Sequence, residues 1–183
     1  MPDSITLEEK QQLLQKSEVS LWIDHYDDIF SDFDPRPYSQ RGLSDDFLIE
    51  AKKFIKEKAS GSFELLFLVP KAMRKPESEN VIRKRLREHF KKHHHLLKQE
   101  MVKIKKKGAL LTALGMLTMF AAYLVSTFEQ NMLMNLTFII LEPSGWFMAF
   151  IGMEHIFYET KNKKADVDFY TKMSTCEIKF RDY

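Results

Sequence analysis

Five aspartates lie in the stretch DHYDDIFSDFD, residues 24–34, and are candidates for metal binding or acid–base chemistry. Hard cations take several carboxylate oxygens, and the end of a parallel strand is a common place for a ligand. The spacing matches no calcium-binding loop, and no glycine-rich phosphate loop accompanies it. The pattern therefore favours a solvated acidic loop, with a catalytic or metal role as the alternative. The candidate residues are Asp24, Asp27, Asp28, Asp32 and Asp34.

Two histidines, His89 and His93, stand four residues apart in HFKKHHHLL, a spacing that places both on one helix face and suits a metal. A third ligand would have to come from elsewhere, and His93 falls on the apolar stripe of the predicted helix. A hydrogen-bonded core histidine is the expected outcome, so we expect neither a metal nor a cofactor. The single cysteine, Cys176, has no histidine near it in sequence and predicts a buried thiol.

A third candidate is Glu142, followed by Pro143, inside the apolar run LTFIILEPSGWFMAF. In a membrane span a lone carboxylate facing lipid costs about 2.5–3.5 kcal/mol. Two explanations stay open at this stage. Either Glu142 is protonated or paired inside an assembly, lining a polar path in one version, or the span breaks and Glu142 caps a helix that begins at Pro143.

Two apolar segments surround these residues. Residues 108–128 carry no charge, and residues 132–153 carry only Glu142. The first is about 32 Å long as a helix, enough to cross a bilayer. A short polar link, residues 129–131, makes the pair a predicted transmembrane hairpin. Small residues form two rows that favour tight packing: Thr118, Ala122, Ser126 and Gly145, Ala149, Gly152.

Lysines flank both spans, and the link between the spans has none. The positive-inside rule therefore predicts a multi-pass protein of the cell inner (plasma) membrane, with two spans and both termini in the cytoplasm. Residues 71–107 hold fourteen Lys/Arg against four acids, which favours anionic lipid headgroups over nucleic acid as the partner. The predicted lipid-facing residues are Lys103, Lys105, Lys106, Lys107, Lys161, Lys163 and Lys164.

The remaining segments predict a small cytosolic domain. VSLWID and the apolar run ELLFLV predict parallel strands joined by a helix with Phe47, Ala51 and Ile55 on its buried face. Alternating Cys176, Ile178 and Phe180 predict a last edge strand. The fold class is an α+β membrane protein in the order β-α-β-α-TM-TM-β, with about three strands. Its parts are an N-terminal tail or amphipathic helix (1–18), an α/β domain ending in a basic helix (19–107), the hairpin (108–153), and a helical extension with the final strand (154–183).

No motif here specifies an activity, and the sequence favours a non-enzymatic role. The predicted function is a homo-oligomeric structural or interaction assembly at the cytoplasmic face of the membrane. Residues 17–50 hold nine acids against two arginines, so opposite charges on different segments favour self-association. A small oligomeric channel or proton path lined by Glu142 is one alternative, and a membrane-tethered enzyme using the 24–34 loop is another. The small-molecule ligand, if the protein has one, is unknown.

Overall fold

The computed structural model describes residues 19–57, 64–128 and 131–183. The predicted N-terminal tail or helix, the end of the first helix near Gly61 and part of the link between the spans lie outside these residues. The helices and strands, in chain order, are β1 (Val19–Trp22), α1 (Asp45–Glu57), β2 (Glu64–Val69), α2 (Pro76–Ser126), α3 (Met132–Glu154), α4 (Thr160–Thr175) and β3 (Glu177–Asp182). A π-helical turn, His155–Glu159, joins α3 to α4.

The three strands form one parallel sheet in the order β1-β2-β3. Phe67 at the centre of β2 pairs with Leu21 of β1 and with Phe180 of β3. The predicted mixed fold with a small three-stranded sheet and two long apolar helices is confirmed.

One face of this sheet carries the core. Parallel strands added in a constant direction, each through a right-handed crossover, bring the connecting helices to one face. Leu65, Phe67 and Val69 accordingly form one buried cluster with side chains from three helices. Those side chains are Phe47, Ala51 and Ile55 of α1, Ile82, Leu86 and Phe90 of α2, and Phe169 and Met173 of α4. On the opposite face Leu66 and Leu68 are also buried, and Trp22 stacks on Tyr183 at 4.7 Å between ring centroids.

Local signals explain where the helices begin. Asp45 and Asp46 open α1, where carboxylates favour the positive end of the helix dipole. Pro76 opens α2, a position at which the missing N–H is not needed. At the start of α3 the Asn131 side chain accepts a hydrogen bond of 2.9 Å from the backbone N–H of Met134.

Helix α2 is continuous over 51 residues, so the basic amphipathic segment and the first apolar segment are one helix. By length and composition, α2 and the helical run Met132–Thr175 are each able to cross a membrane. The chain divides into two compact units, one comprising Asp168–Tyr183 with the residues up to His94, the other His95–Val167. The sheet belongs to the first unit, and the apolar helix pair belongs to the second.

Candidate functional site

The two apolar helices contact each other through glycine, backbone against backbone. A Cβ placed on Gly115 would lie 2.6 Å from the carbonyl oxygen of Gly145, and one on Gly152 would lie 2.7 Å from that of Gly108. Distances under 3 Å leave no room for any side chain. In lipid such close packing drives helix association, since apolar side chains alone do not.

The glycines follow a spacing of seven residues. Gly108, Gly115 and Ala122 are buried on α2, and Gly145 and Gly152 are buried on α3, which is the period of helices that wind around each other with a left-handed supercoil. The row Gly145, Ala149, Gly152 therefore serves the contact within the hairpin. The sequence analysis missed Gly108 and Gly115; their spacing of seven was the available signal.

Glu142 is exposed, although it lies three residues before Gly145 and seven before Ala149 and therefore on the same half of α3 as the glycine contact. The helix runs through Pro143 without interruption, so the alternative in which Glu142 caps a new helix is wrong. The Ser144 hydroxyl donates to the carbonyl oxygen of Ile140 at 2.6 Å, close to the proline. Glu142 is ten residues from Met132, about 15 Å along the helix and near the middle of the apolar stretch. No described side chain hydrogen-bonds to its carboxylate, and neither apolar segment contains Lys, Arg or His.

The predicted lipid-facing lysines gather at one end of the hairpin. Gly108 lies against Gly152 and Ile156, so the residues before Gly108 and those after Ile156 leave the helix pair at the same end. Lys103, Lys105, Lys106 and Lys107 come from α2, and Lys161, Lys163 and Lys164 come from α4. Lys163 forms an ion pair with Glu100, so its charge is partly neutralised within this unit.

The carboxylates of the acidic loop, residues 24–34, accept hydrogen bonds from nearby backbone N–H groups and from arginine side chains. Asp28 accepts hydrogen bonds from the backbone N–H groups of Asp24 and His25, both at 2.9 Å, and so caps a short 3-10 helix. Asp34 accepts from Arg36 at 2.7 and 2.8 Å and from the Gly42 N–H at 2.7 Å. These bonds hold the pKa of Asp34 well below its usual range, and the bond from the Arg36 side chain contributes most.

The other three aspartates lie near Arg41 or Tyr183. Asp27 pairs with Arg41, Asp24 accepts from the Tyr183 hydroxyl at 3.4 Å, and Asp32 lies 4.0 Å from Arg41 with 90% of its side chain exposed. Within the described ranges no three His, Cys, Asp or Glu side chains come together to hold a metal ion. The loop is thus a hydrogen-bonded structure, and a metal or catalytic role for it stays a prediction.

A buried acid that the sequence analysis missed lies near the carboxyl ends of the strands. Glu79 is 4% exposed and accepts two hydrogen bonds from Arg74, at 2.8 and 2.9 Å, and one from the Tyr26 hydroxyl at 3.0 Å. Burial raises the pKa of Glu79, but the bonds from Arg74 and Tyr26 lower it more, so the net shift is downward. Only the fold brings Tyr26 to Glu79, 53 positions apart in the chain.

His89 and His93 stack on each other at 4.1 Å, with their ring planes 17° apart. Parallel rings direct their nitrogen lone pairs side by side and not toward a common point, so this arrangement does not hold one metal ion. Both nitrogens of His93 and Nε2 of His89 are buried without a hydrogen-bond partner, and His93 also stacks on Tyr170 at 5.4 Å. Burial lowers the pKa of His89 to about 4, and the charges of His93, Arg85 and Lys92 act in the same direction.

Cys176 is buried, as predicted, and its thiol donates to the carbonyl oxygen of Met173. Burial raises the pKa of this thiol to about 11, so it is protonated and unreactive at neutral pH.

Comparison of the chain with protein-family models, curated proteins and solved structures finds no match.

Proposed function

We propose that this protein is an integral membrane protein whose copies assemble side by side through the exposed surface of α3 around Glu142 and act as a structural or interaction platform. One observation carries the proposal: Glu142 is exposed, while the contact inside the hairpin is closed by glycine. A carboxylate at mid-span facing lipid is unfavourable by a few kcal/mol. A neighbouring copy covers it.

The membrane location is supported by the surface of the helix pair. Large apolar side chains surround both helices and are exposed, unlike those of a core helix in a soluble domain. Examples are Leu110, Met116, Leu117, Phe120, Ile139 and Phe147, each more than half exposed. An exposed apolar band on two adjacent helices matches a bilayer as its solvent.

The proposed orientation places the lysine-rich end of the hairpin at the cytoplasmic face of the cell inner membrane, against anionic headgroups. Each cation near such a surface contributes about 1 kcal/mol. A cysteine at Asn131 should then react with an impermeant reagent from outside intact cells, and one at exposed Lys164 should not. Both variants carry Cys176→Ser, so that the introduced cysteine is the labelled thiol. Cys176 itself cannot serve as the cytoplasmic probe, because it is buried and would not react from either side. The reverse labelling would refute the orientation.

The assembly is tested by the mass of the detergent-extracted particle, together with Glu142→Gln. The matched control is Glu154→Gln, at the exposed end of the same helix. We expect a multiple of the chain mass for the wild type and the control. A monomer at every protein and salt concentration would refute the proposal.

The same exposed position of Glu142 supports a second candidate, a proton path between copies. In that case Glu142→Gln keeps the assembly intact and abolishes proton flux into vesicles, while Glu154→Gln leaves the flux unchanged. If Glu142→Gln alters neither the mass of the particle nor the proton flux, Glu142 has no role in assembly or in proton transfer.

A further inference from the structure

The loop between β1 and α1 exposes a phenylalanine side chain, Phe33, to solvent. Phe33 is 98% exposed, the highest exposure of any large apolar side chain in the described ranges. It occupies the turn from Ser31 to Asp34, which is closed by a backbone hydrogen bond of 3.2 Å. Single exposed apolar residues are common on proteins, but they usually lie along a helix or strand whose other side packs on the core.

The loop that presents Phe33 is fixed on both sides of the turn. Phe30 pairs with Leu43 in an antiparallel bridge, and the Ser31 N–H donates to the Gly42 carbonyl oxygen at 2.9 Å. Arg41 Nε donates to the carbonyl oxygen of Ser31 at 3.0 Å. An ordered turn cannot fold the ring back onto the domain. Phe33 is therefore pre-organised for contact with another molecule.

Aspartates flank Phe33 in the sequence. Asp32 precedes Phe33, and its side chain is 90% exposed. Residues 24–34 contain five aspartates and no Lys or Arg, and Arg36 and Arg41 neutralise only part of this charge. The complementary surface is an apolar or aromatic-binding groove with a cationic lining.

The same chain carries such a groove on α2. It has a volume of about 300 Å³ and is lined by Asn80, Arg83, Lys84, Arg87, Glu88 and Lys91. Arg83 is held in place by hydrogen bonds to the carbonyl oxygen of Ile178 (3.0 Å) and to Asn80 Oδ1 (2.7 Å). Lys84, Arg87 and Lys91 have no ion-pair partner in the part of the chain that the structure describes. Their alkyl stems are apolar, and arginine stacks on aromatic rings.

We infer that Phe33 of one copy docks into the Arg83–Lys91 groove of a second copy, with Asp32 facing the cationic side chains of the groove, Arg87 among them. The inference rests on the proposed homo-oligomer and names the contact between its sheet-bearing units. Phe33 and the Arg83–Lys91 groove are different patches on the surface of the same chain. The contact is therefore either reciprocal in a two-fold pair or head-to-tail in a ring or filament.

The first experiment measures self-association of the full chain in detergent as a function of concentration. Phe33→Ser removes no core packing, because the ring is exposed, and it should weaken association at least about 10-fold, as loss of an aromatic anchor does. Ile49→Ser, half exposed on α1, is the control and should change nothing. Asp32→Arg and Arg87→Asp should each weaken association, and the two together should restore it.

The second experiment locates the contact. Two differently tagged chains in a Cys176→Ser background, one with Phe33→Cys and one with Lys84→Cys, should form a mixed disulfide. Lys53→Cys in place of Lys84→Cys should not. An oligomer with unchanged affinity in Phe33→Ser and no 33–84 cross-link would overturn this inference and leave the proposed function standing. A monomeric wild type would overturn both. Phe33→Ser that weakens binding to anionic vesicles, with association unchanged, would overturn it in favour of a lipid partner.

Discussion

Acid should destabilise the sheet-bearing unit through the stacked histidines. In the folded chain the pKa of His89 lies at about 4, against an ordinary value of 6.5, because the ring is buried and the charged groups near it, Arg85 and Lys92, are positive. Tyr170 packs on the pair from α4. A proton on His89 therefore has no described carboxylate beside it and weakens the contact between α2 and α4.

The sign and size follow from linkage. The unfolded chain binds the proton as the pH falls through 6.5, while the folded chain binds it only near 4. The stability is fully present above pH 6.5 and is lost between pH 6.5 and 4, with no further loss from this group below that. The full difference corresponds to about 3 kcal/mol. Because the ring keeps partial contact with solvent, we expect a loss of about 1–2 kcal/mol.

Urea unfolding of the detergent-solubilised chain measures this loss. Trp22 reports on the sheet when Trp146 is replaced by Phe, since the chain has two tryptophans. His89→Phe keeps an aromatic ring in the stack and should flatten the pH dependence between 6.5 and 4. His95→Phe, at an exposed position, should not. Equal slopes for the wild type and His89→Phe, or a wild-type stability that is constant across this range, would refute the reasoning.

Three further substitutions test the packing. Gly145→Val should separate the apolar helices and destabilise the detergent particle by about 1–3 kcal/mol, seen as a lower melting temperature, whereas the exposed Leu136→Val should be silent. Glu79→Gln removes the nearer of the two anionic partners of Arg74, the other being Asp182, and should reduce the free energy of urea unfolding by about 1–3 kcal/mol; no change would mean that water replaces the ion pair. Leu86→Ala opens a cavity in the core and should reduce the same free energy by about 2–5 kcal/mol, and a loss under 1 kcal/mol would show that the core collapses around it.

The elements that could be predicted from the sequence are those whose burial shows in the pattern of apolar residues: a continuous run in a covered strand, an alternation in an edge strand or a stripe along a helix. The apolar run of β2, the alternation of Ile178 and Phe180 and the stripe of Ile82, Leu86 and Phe90 all follow this rule, and all are buried. The sequence predicted a basic helix up to residue 107 and a separate apolar span from residue 108, whereas both belong to α2. The change in composition at residue 108 hides the continuity of the helix.

The contacts that could not be predicted join residues far apart in the chain. Nothing near Glu79 in sequence indicates that its carboxylate meets the Tyr26 hydroxyl. The glycine contact has the same origin, because Gly115 fits a lipid-facing position as well as a helix contact until α3 is placed against it. The exposure of Phe33 could not be predicted either, since a phenylalanine between Asp32 and Asp34 is equally compatible with a buried loop.

The position of β3 also affects how the chain is made. Residues 70–176 separate β2 from β3, and both apolar helices lie between them. A chain still emerging from the ribosome therefore carries β2 with one unpaired edge, a hazard for aggregation, until the helix pair has been synthesised. Because the paired helices bring the residues near Gly108 and Ile156 together, formation of the helix pair shortens the search by which β3 finds β2. A chain halted before α4 would leave this edge open to pairing with another chain.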